Sequence, residues 1–281
     1  MPTDQSVDQA ALGRAWQALR RGNPLVLCIT NRVTPQRVAD TLLAAGAAPV
    51  MADNPLEVAQ MASIADAIYL NTGLHETQVA SLAAAAGAIA TLHKPAVLDP
   101  VGAGATAYRS AQIARVLAGA RCSAVRGNAS EIRALAGVGA GTRGVDARDS
   151  ADAAADAAHH LARTHGCVVA VSGERDLIGD GERIVRVGGG HPWLTRMTGS
   201  GCALGALTAA CIAAADDPWL GTLTAHAAFA LAADRGATRA AGPGTLSVHV
   251  LDALAALEPE DFAEARVSVQ PVPADAPGGP A

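Results

Sequence analysis

The strongest constraint on this chain is an alternation between short, wholly apolar runs and longer stretches of helical periodicity. Leu25-Val-Leu-Cys-Ile29 has no polar position on either face, and Ala48-Met51, Ala67-Leu70, Pro95-Leu98, Cys122-Val125 and Cys167-Val171 are built the same way. A strand with one wet face alternates polar and apolar side chains, so a run that is apolar throughout needs cover on both faces. The cover lies between the runs. Ala11, Leu12, Trp16 and Leu19 recur at helical spacing before Gly22-Asn23-Pro24 ends the stretch. Thr34-Pro35 opens a helix carrying Val38, Leu42 and Leu43, which Gly46 ends. Residues 55–61, 75–90, 110–118, 131–136 and 151–164 continue the series. Strands and helices in strict turn imply an α/β fold, a three-layer sandwich with a mainly parallel central sheet and helices on both faces.

Two segments break the alternation. Residues 175–178 and 183–186 flank Gly179-Asp180-Gly181, which predicts an antiparallel hairpin closing one sheet edge. Beyond Pro192 the pattern is almost wholly helical. No stretch before residue 260 is rich enough in Pro, Gly and Ser to link independent domains, so residues 1–262 are expected to form one domain. From Arg266 onward Pro, Ala, Gly and Val occur without periodicity, and residues 263–281 are expected to be a flexible tail outside the fold.

Composition then narrows the partners. Half of the 281 residues are apolar and 17% are charged, enough for a buried core. The net charge is −5, the bases are dispersed, and the aromatic residues number only two Tyr, two Phe and three Trp. Neither a nucleic acid nor an anionic lipid surface finds a matching footprint. The five cysteines include no CxxC pair, so neither a disulfide framework nor a zinc site is indicated, and a reducing, cytoplasmic setting fits. The apolar stretches 79–92 and 199–215 are Ala-rich and shorter than the roughly 20 strongly apolar residues that a membrane span needs.

In a parallel sheet ligands gather at the carboxyl ends of the strands. Here those ends read Thr30-Asn31, Asn71-Thr72-Gly73, Asp99-Pro-Val-Gly-Ala-Gly104, Arg126-Gly-Asn-Ala-Ser-Glu131 and Ser172-Gly-Glu174. The densest motif, Thr198-Gly-Ser-Gly-Cys202, leads into an uncharged helical run. Its glycines let backbone N–H groups converge at the positive end of a helix, which suits a phosphate; equally, they suit a tight turn and close helix packing. No GxxxxGK[ST] exists, the only lysine is Lys94, and the glycine spacing departs from a dinucleotide fingerprint. A bound phosphate would therefore be balanced by arginines, backbone amides and a metal ion. Asp99, Asn128 and Glu131 are hard oxygen donors of the kind that Mg²⁺ takes. Asn128 and Glu131 also fit a helix N-cap with its third-position partner. Cys202, at a helix start, is expected to have a lowered thiol pKa and to act as base or nucleophile. The other four cysteines read as apolar filler, and the histidines are scattered with none assignable to Cys202, which leaves a Cys-His hydrolase unsupported.

Taken in order, six segments resemble the hydroxyethylthiazole kinase family of the ribokinase-like superfamily. They are Pro24-Leu-Val-Leu-Cys-Ile-Thr-Asn31, Gly46-Ala-Ala-Pro-Val-Met51, Leu98-Asp-Pro-Val-Gly-Ala-Gly-Ala-Thr106, Val125-Arg-Gly-Asn-Ala-Ser-Glu131, Gly144-Val-Asp146 and Thr198-Gly-Ser-Gly-Cys202. The resemblance implies phosphorylation of 4-methyl-5-(2-hydroxyethyl)thiazole by ATP, in thiamine biosynthesis and salvage. It implies that Asn31 and Met51 line the thiazole pocket, that Gly199 holds the substrate alcohol, and that Arg126 and Ser172 contact ATP. Cys202 takes the catalytic-base position, an aspartate in most ribokinase relatives, while Asp99, Asn128 and Glu131 organise Mg²⁺ directly or through water. It further implies a homotrimer with active sites between subunits. Two departures fall on the substrate side: Leu27 stands where family members often carry histidine, and the loop Asn71-Thr-Gly-Leu-His-Glu76 differs from the usual one. Kinases for a hydroxymethylpyrimidine or a sugar are the nearest alternatives, followed by a cysteine hydrolase and a non-catalytic binding module.

Overall fold

The computed structural model describes residues 7–73, 75, 78–137, 147–215 and 217–272. Its centre is one nine-stranded sheet: β1 (Leu25–Ile29), β2 (Ala48–Val50), β3 (Ala67–Asn71), β4 (Ala96–Asp99), β5 (Ala124–Asn128), β6 (Val168–Ser172), β7 (Asp176–Gly179), β8 (Ile184–Gly188) and β9 (Arg266–Gln270). The order across the sheet is β2-β1-β3-β4-β5-β6-β7-β8-β9. The first six pair in parallel and the last three antiparallel. The order reverses between β1 and β3, and it is at such a switch that a crevice opens above the strand ends.

Each of the apolar runs is a strand, and each feeds both layers. In β1, Val26 and Cys28 face one core cluster while Leu27 and Ile29 face the other; in β3, Ala67 and Tyr69 are set against Ile68 and Leu70. The first layer contains α1 (Gln9–Gly22), α2 (Pro35–Ala45), α8 (Ser200–Ala215), α9 (Pro218–Ala237) and α10 (Pro243–Ala256). The second contains α3 (Val58–Ile64), α4 (Val79–Leu92), α5 (Ala107–Gly119), α6 (Ala129–Leu135) and α7 (Ala147–His165). In α1 the buried side chains Leu12, Trp16 and Leu19 lie on one stripe, and Asn23 ends the helix in the left-handed region at φ 45° ahead of Pro24. Trp16 then locks α1 to the chain's far end, donating through Nε1 to the Leu257 carbonyl at 3.1 Å and meeting the Phe262 ring at 5.9 Å.

Helix α8 is the axis of the first layer, buried continuously from Ala203 to Ile212. Only small residues permit this. A Cβ on Gly205 would lie 2.6 Å from the Tyr69 ring, and one on Gly221 of α9 would lie 2.5 Å from the Ile212 backbone. Gly205→Ala would force strain of about 1–3 kcal/mol at that contact. The close fit fixes where α8 begins, and its first turn carries the glycine motif.

The tail and the sheet edge need correction. The hairpin exists as β7–β8, but it does not close the sheet, because β9 pairs antiparallel outside it from Ile184↔Gln270 to Gly188↔Arg266. Residues 263–270 therefore belong to the fold. Arg-Val-Ser-Val-Gln is a period-two strand too short to stand out in a Pro- and Ala-rich sequence; Val267 packs on the core and Arg266 pairs with Asp234. Gly144-Val-Asp146 and residues 273–281 lie outside the described residues.

Candidate active site

Above the carboxyl ends of β4, β5 and β6 opens a cavity of about 1290 Å³, whose wall includes Asp99, Arg126, Asn128, Glu131, Ser172, Gly199 and Cys202. Seven of the nine expected site residues thus share one wall. Parallel register brings them level: Asn71 pairs with Asp99 and Asn128 with Ser172.

The glycine motif forms the start of α8. Gly199 has φ +80°, in the left-handed region, and an added Cβ would lie 2.6 Å from Thr34 Cγ2, so this position admits no side chain. The Ala203 N–H already bonds to the Gly199 carbonyl at 2.8 Å, whereas the N–H groups of Gly201 and Cys202 make no hydrogen bond among the described residues. Two free donors at the positive end of a sixteen-residue helix have the chemistry that an anion takes. Arg126 stands over them, since a Cβ on Gly201 would fall 2.6 Å from its Nη1. This guanidinium is 8% exposed, donates from Nη2 to Ser172 Oγ, and buries Nε without a partner. A buried cation with an unmet donor, facing free amides across a cavity, calls for an anion between them. The glycines permit tight packing and also leave the amides exposed.

Cys202 is half-buried at the edge of the cavity. Asn71 Nδ2 donates to its Sγ at 3.3 Å and Asn31 Nδ2 at 3.5 Å. Asn71 also donates to Asp99 Oδ2 at 3.0 Å and to the Tyr69 hydroxyl at 2.9 Å, and Tyr69 donates to the same Asp99 oxygen at 2.7 Å. The expected lowering of the Cys202 pKa is not found. Burial first, and the Asp99 carboxylate second, push the thiol above its ordinary range, outweighing hydrogen bonds from Thr34, Asn31 and Tyr69. Asp99 is itself pushed up to about 6 by burial, against the pull of Arg126 and of the Tyr69 hydroxyl. The Tyr69 phenol stays protonated, raised by burial and then by Asp99. A fixed hydroxyl donor therefore faces a carboxylate that remains ionised at neutral pH and above.

Asn128 and Glu131 form a complete capping box on α6. Asn128 Oδ1 accepts from the Glu131 N–H at 3.0 Å and from Ser130 Oγ at 2.7 Å; Glu131 Oε2 accepts from the Asn128 N–H at 2.9 Å, and Oε1 from the Gly102 N–H at 3.0 Å. The two accepted bonds occupy both lone pairs of the Asn128 oxygen, while each Glu131 oxygen keeps one. Asn31 and Met51 are off the cavity wall. Asn31 reaches Sγ from the β1 side, and Met51, just past β2, packs against the cluster around α8.

Tyr69, Asn71 and Thr34 complete the site. Asn71 stood in a polar strand end, a visible if unspecific signal, but Tyr69 reads as one more apolar strand residue and Thr34 as a helix N-cap. The other four cysteines are buried, as expected of filler. Of the histidines, His226 is buried with Nδ1 2.6 Å from Asp176 Oδ2, and His191 accepts the Trp193 N–H. Among the described residues the Cys202 sulfur is met by the amides of Asn31 and Asn71, an arrangement unlike a Cys-His dyad.

Known proteins resemble this chain along most of its length. The model of the hydroxyethylthiazole kinase family matches residues 16–260. A protein of Clavibacter sepedonicus named hydroxyethylthiazole kinase is 49% identical, with 88% of this chain and 90% of that one covered. One of Cutibacterium acnes with the same name is 44% identical, covering 94% and 97%. The solved hydroxyethylthiazole kinase protein of Pyrococcus horikoshii superposes with a TM-score of 0.85 at 34% identity, over 92% of this chain and 99% of that one. The pyridoxal kinase of Staphylococcus aureus shares the fold alone, with a TM-score of 0.56 at 15% identity over 75% and 88%.

Proposed function

Because the chain belongs to the hydroxyethylthiazole kinase family and phosphorylates the hydroxyl of 4-methyl-5-(2-hydroxyethyl)thiazole with ATP, we propose how its residues divide that work. The triphosphate lies across the start of α8, where the Gly201 and Cys202 N–H groups meet its oxygens, with Arg126 as counter-charge and Ser172 holding Arg126 in place. The thiazole alcohol enters from the opposite side of Cys202, between Asn31 and Met51, with its hydroxyl against Gly199. The Cys202 thiolate takes the hydroxyl proton as the substrate oxygen bonds to the γ-phosphorus and the bond from that phosphorus to the β,γ-bridging oxygen breaks, releasing ADP. The observation that carries this reading is the pair of unbound amides at the α8 start, facing the buried, partly unpartnered guanidinium of Arg126.

A raised thiol pKa leaves only a minor thiolate fraction at neutral pH, which this reaction tolerates. Phosphoryl transfer depends mainly on positioning and on stabilising spread negative charge, with a modest demand on the base. Magnesium fits the donor set in part. Asp99 and Glu131 keep oxygen lone pairs toward the cavity, and we assign the ion to them with water and phosphate completing its shell; Asn128, its oxygen filled, serves by fixing Glu131. Among the described residues no three His, Cys, Asp or Glu side chains form a metal cluster. Bound there, Mg²⁺ supplies charge neutralisation on the phosphates.

We further propose a homotrimer in which a neighbouring subunit closes the thiazole side. Val33 and Leu56, two and five positions beyond Asn31 and Met51 in the chain, are 76% and 87% exposed, apolar side chains that a neighbouring subunit would cover. No helix of the described residues is long and apolar enough to cross a membrane, and we assign the enzyme to the cytoplasm, where ATP is supplied. Transfer of labelled phosphate from ATP to the thiazole alcohol, set beside a hydroxymethylpyrimidine and a sugar, tests the assignment. Preference for the thiazole by kcat/KM is expected; preference for either rival would overturn it. Sedimentation at several concentrations tests the trimer.

A further inference from the structure

Asn71 lies at the last position of β3, fully buried, and reaches both halves of the site. Its amide cannot be flipped. The Gly73 backbone N–H donates to Oδ1 at 2.9 Å, and a nitrogen there would set donor against donor. Gly73 is in turn pressed close, since a Cβ on it would lie 3.1 Å from that oxygen and 3.4 Å from Asn31 Cβ. With Oδ1 so committed, Nδ2 must face the site. It has two hydrogens and three acceptors: the Tyr69 hydroxyl, Asp99 Oδ2 and Cys202 Sγ. Tyr69 spends its own hydrogen on Asp99, so its oxygen and Asp99 Oδ2 lie side by side and share one amide hydrogen; the other points to sulfur. The chain's tie to Asn31 runs through the same residue, whose Oδ1 takes Asn31 Nδ2 at 3.4 Å.

We propose that Asn71 is a positioning residue for phosphoryl transfer: its amide holds the Cys202 sulfur as a hydrogen-bond acceptor, at a fixed place between the Asp99 carboxylate and Asn31. A cysteine has one side-chain torsion and no shape that packing could grip on its cavity side. Two amide N–H groups aimed at Sγ supply that grip and favour the electron-rich form of the sulfur. The oxygen end of Asn71 serves the turn, and the nitrogen end serves the site. This inference rests on the reading that Cys202 is the base, and it can be tested without it.

Asn71→Asp keeps an oxygen for the Gly73 N–H and removes the donors, at the cost of a second carboxylate beside Asp99. Asn71→Ser is the neutral second variant, with a hydroxyl able to close the same turn but too short to reach Sγ. The measurement is the rate of Cys202 alkylation by iodoacetamide at one fixed pH, the other four cysteines being buried. Both variants should alkylate about tenfold more slowly than the parent, the size expected when a hydrogen bond to a charged acceptor is lost. The kcat should fall by a similar factor, with little change in KM for either substrate. An unchanged alkylation rate in the neutral Asn71→Ser variant overturns the proposal, whatever happens to kcat or to the charged variant. Slower alkylation with unchanged kcat shows that Asn71 holds the sulfur but overturns its part in phosphoryl transfer, and with it Cys202 as base, so the two failures are distinguishable.

Discussion

Two helices begin on the wall of the same cavity, and they begin differently. At α6 the chain caps its own end with side chains: the Asn128 oxygen takes the Glu131 N–H, Glu131 returns a bond to the Asn128 N–H, and a carboxylate already stands over the helix start. At α8 the first turn is Ser-Gly-Cys, and two N–H groups are left open under Arg126. A helix N-terminus is a ligand site only when its own residues decline to cap it. The capped terminus sets a carboxylate on the cavity wall, and the open one presents free amides to it.

That contrast can be broken by closing the open end. Gly201→Ala places a methyl where Arg126 Nη1 sits, on a helical position that alanine accepts, so the fold should survive while the guanidinium moves off. Steady-state kinetics should show kcat/KM for ATP down by roughly 10²–10³, with little change in thermal midpoint; an unaltered value would mean that the phosphates rest elsewhere. Next in size, Arg126→Met keeps the bulk and removes the charge. The KM for ATP should rise by about tenfold to a hundredfold, as expected when a charge-assisted bond to phosphate is lost.

The sulfur is tested by pH. Its pKa lies above the ordinary thiol value, so the thiolate fraction grows as pH rises, and kcat should climb on the alkaline side. Cys202→Asp should move that rise to acid pH, because a carboxylate ionises there, and Cys202→Ala should flatten it with a loss of about tenfold to a hundredfold. A profile identical in all three proteins would remove the sulfur from proton transfer. The smallest effect belongs to the capped terminus. Asn128→Ala should cost about 1 kcal/mol in denaturant unfolding through the lost cap. ATP kinetics should change by no more than a few-fold; a loss as deep as that of Gly201→Ala would erase the distinction between the two ends.

Much of this was legible in the residues alone. Wholly apolar runs announce strands buried on both faces, because the pattern is local and its physical cause is local too. The glycine motif announced a helix start, and Asn128 with Glu131 announced their cap. The strand Arg266–Gln270 was hidden, since a five-residue alternation carries too little signal beside a Pro-rich end. The lowered thiol pKa expected of Cys202 failed for a related reason: a helix start is visible in sequence, whereas the burial of the sulfur and its nearness to Asp99 are not.

The sequence by itself determined which segments are strands and helices, the family, and the residue types that chemistry could use. Only the tertiary structure decided which of them meet. Strand order, with its reversal between β1 and β3, and the close passage of α8 over Tyr69 bring Asn31, Asn71, Asp99 and Cys202 to one point from positions far apart along the chain. Periodicity records which face of an element is buried, but not which neighbour buries it, and the meeting of a sulfur, an amide and a carboxylate is a property of neighbours.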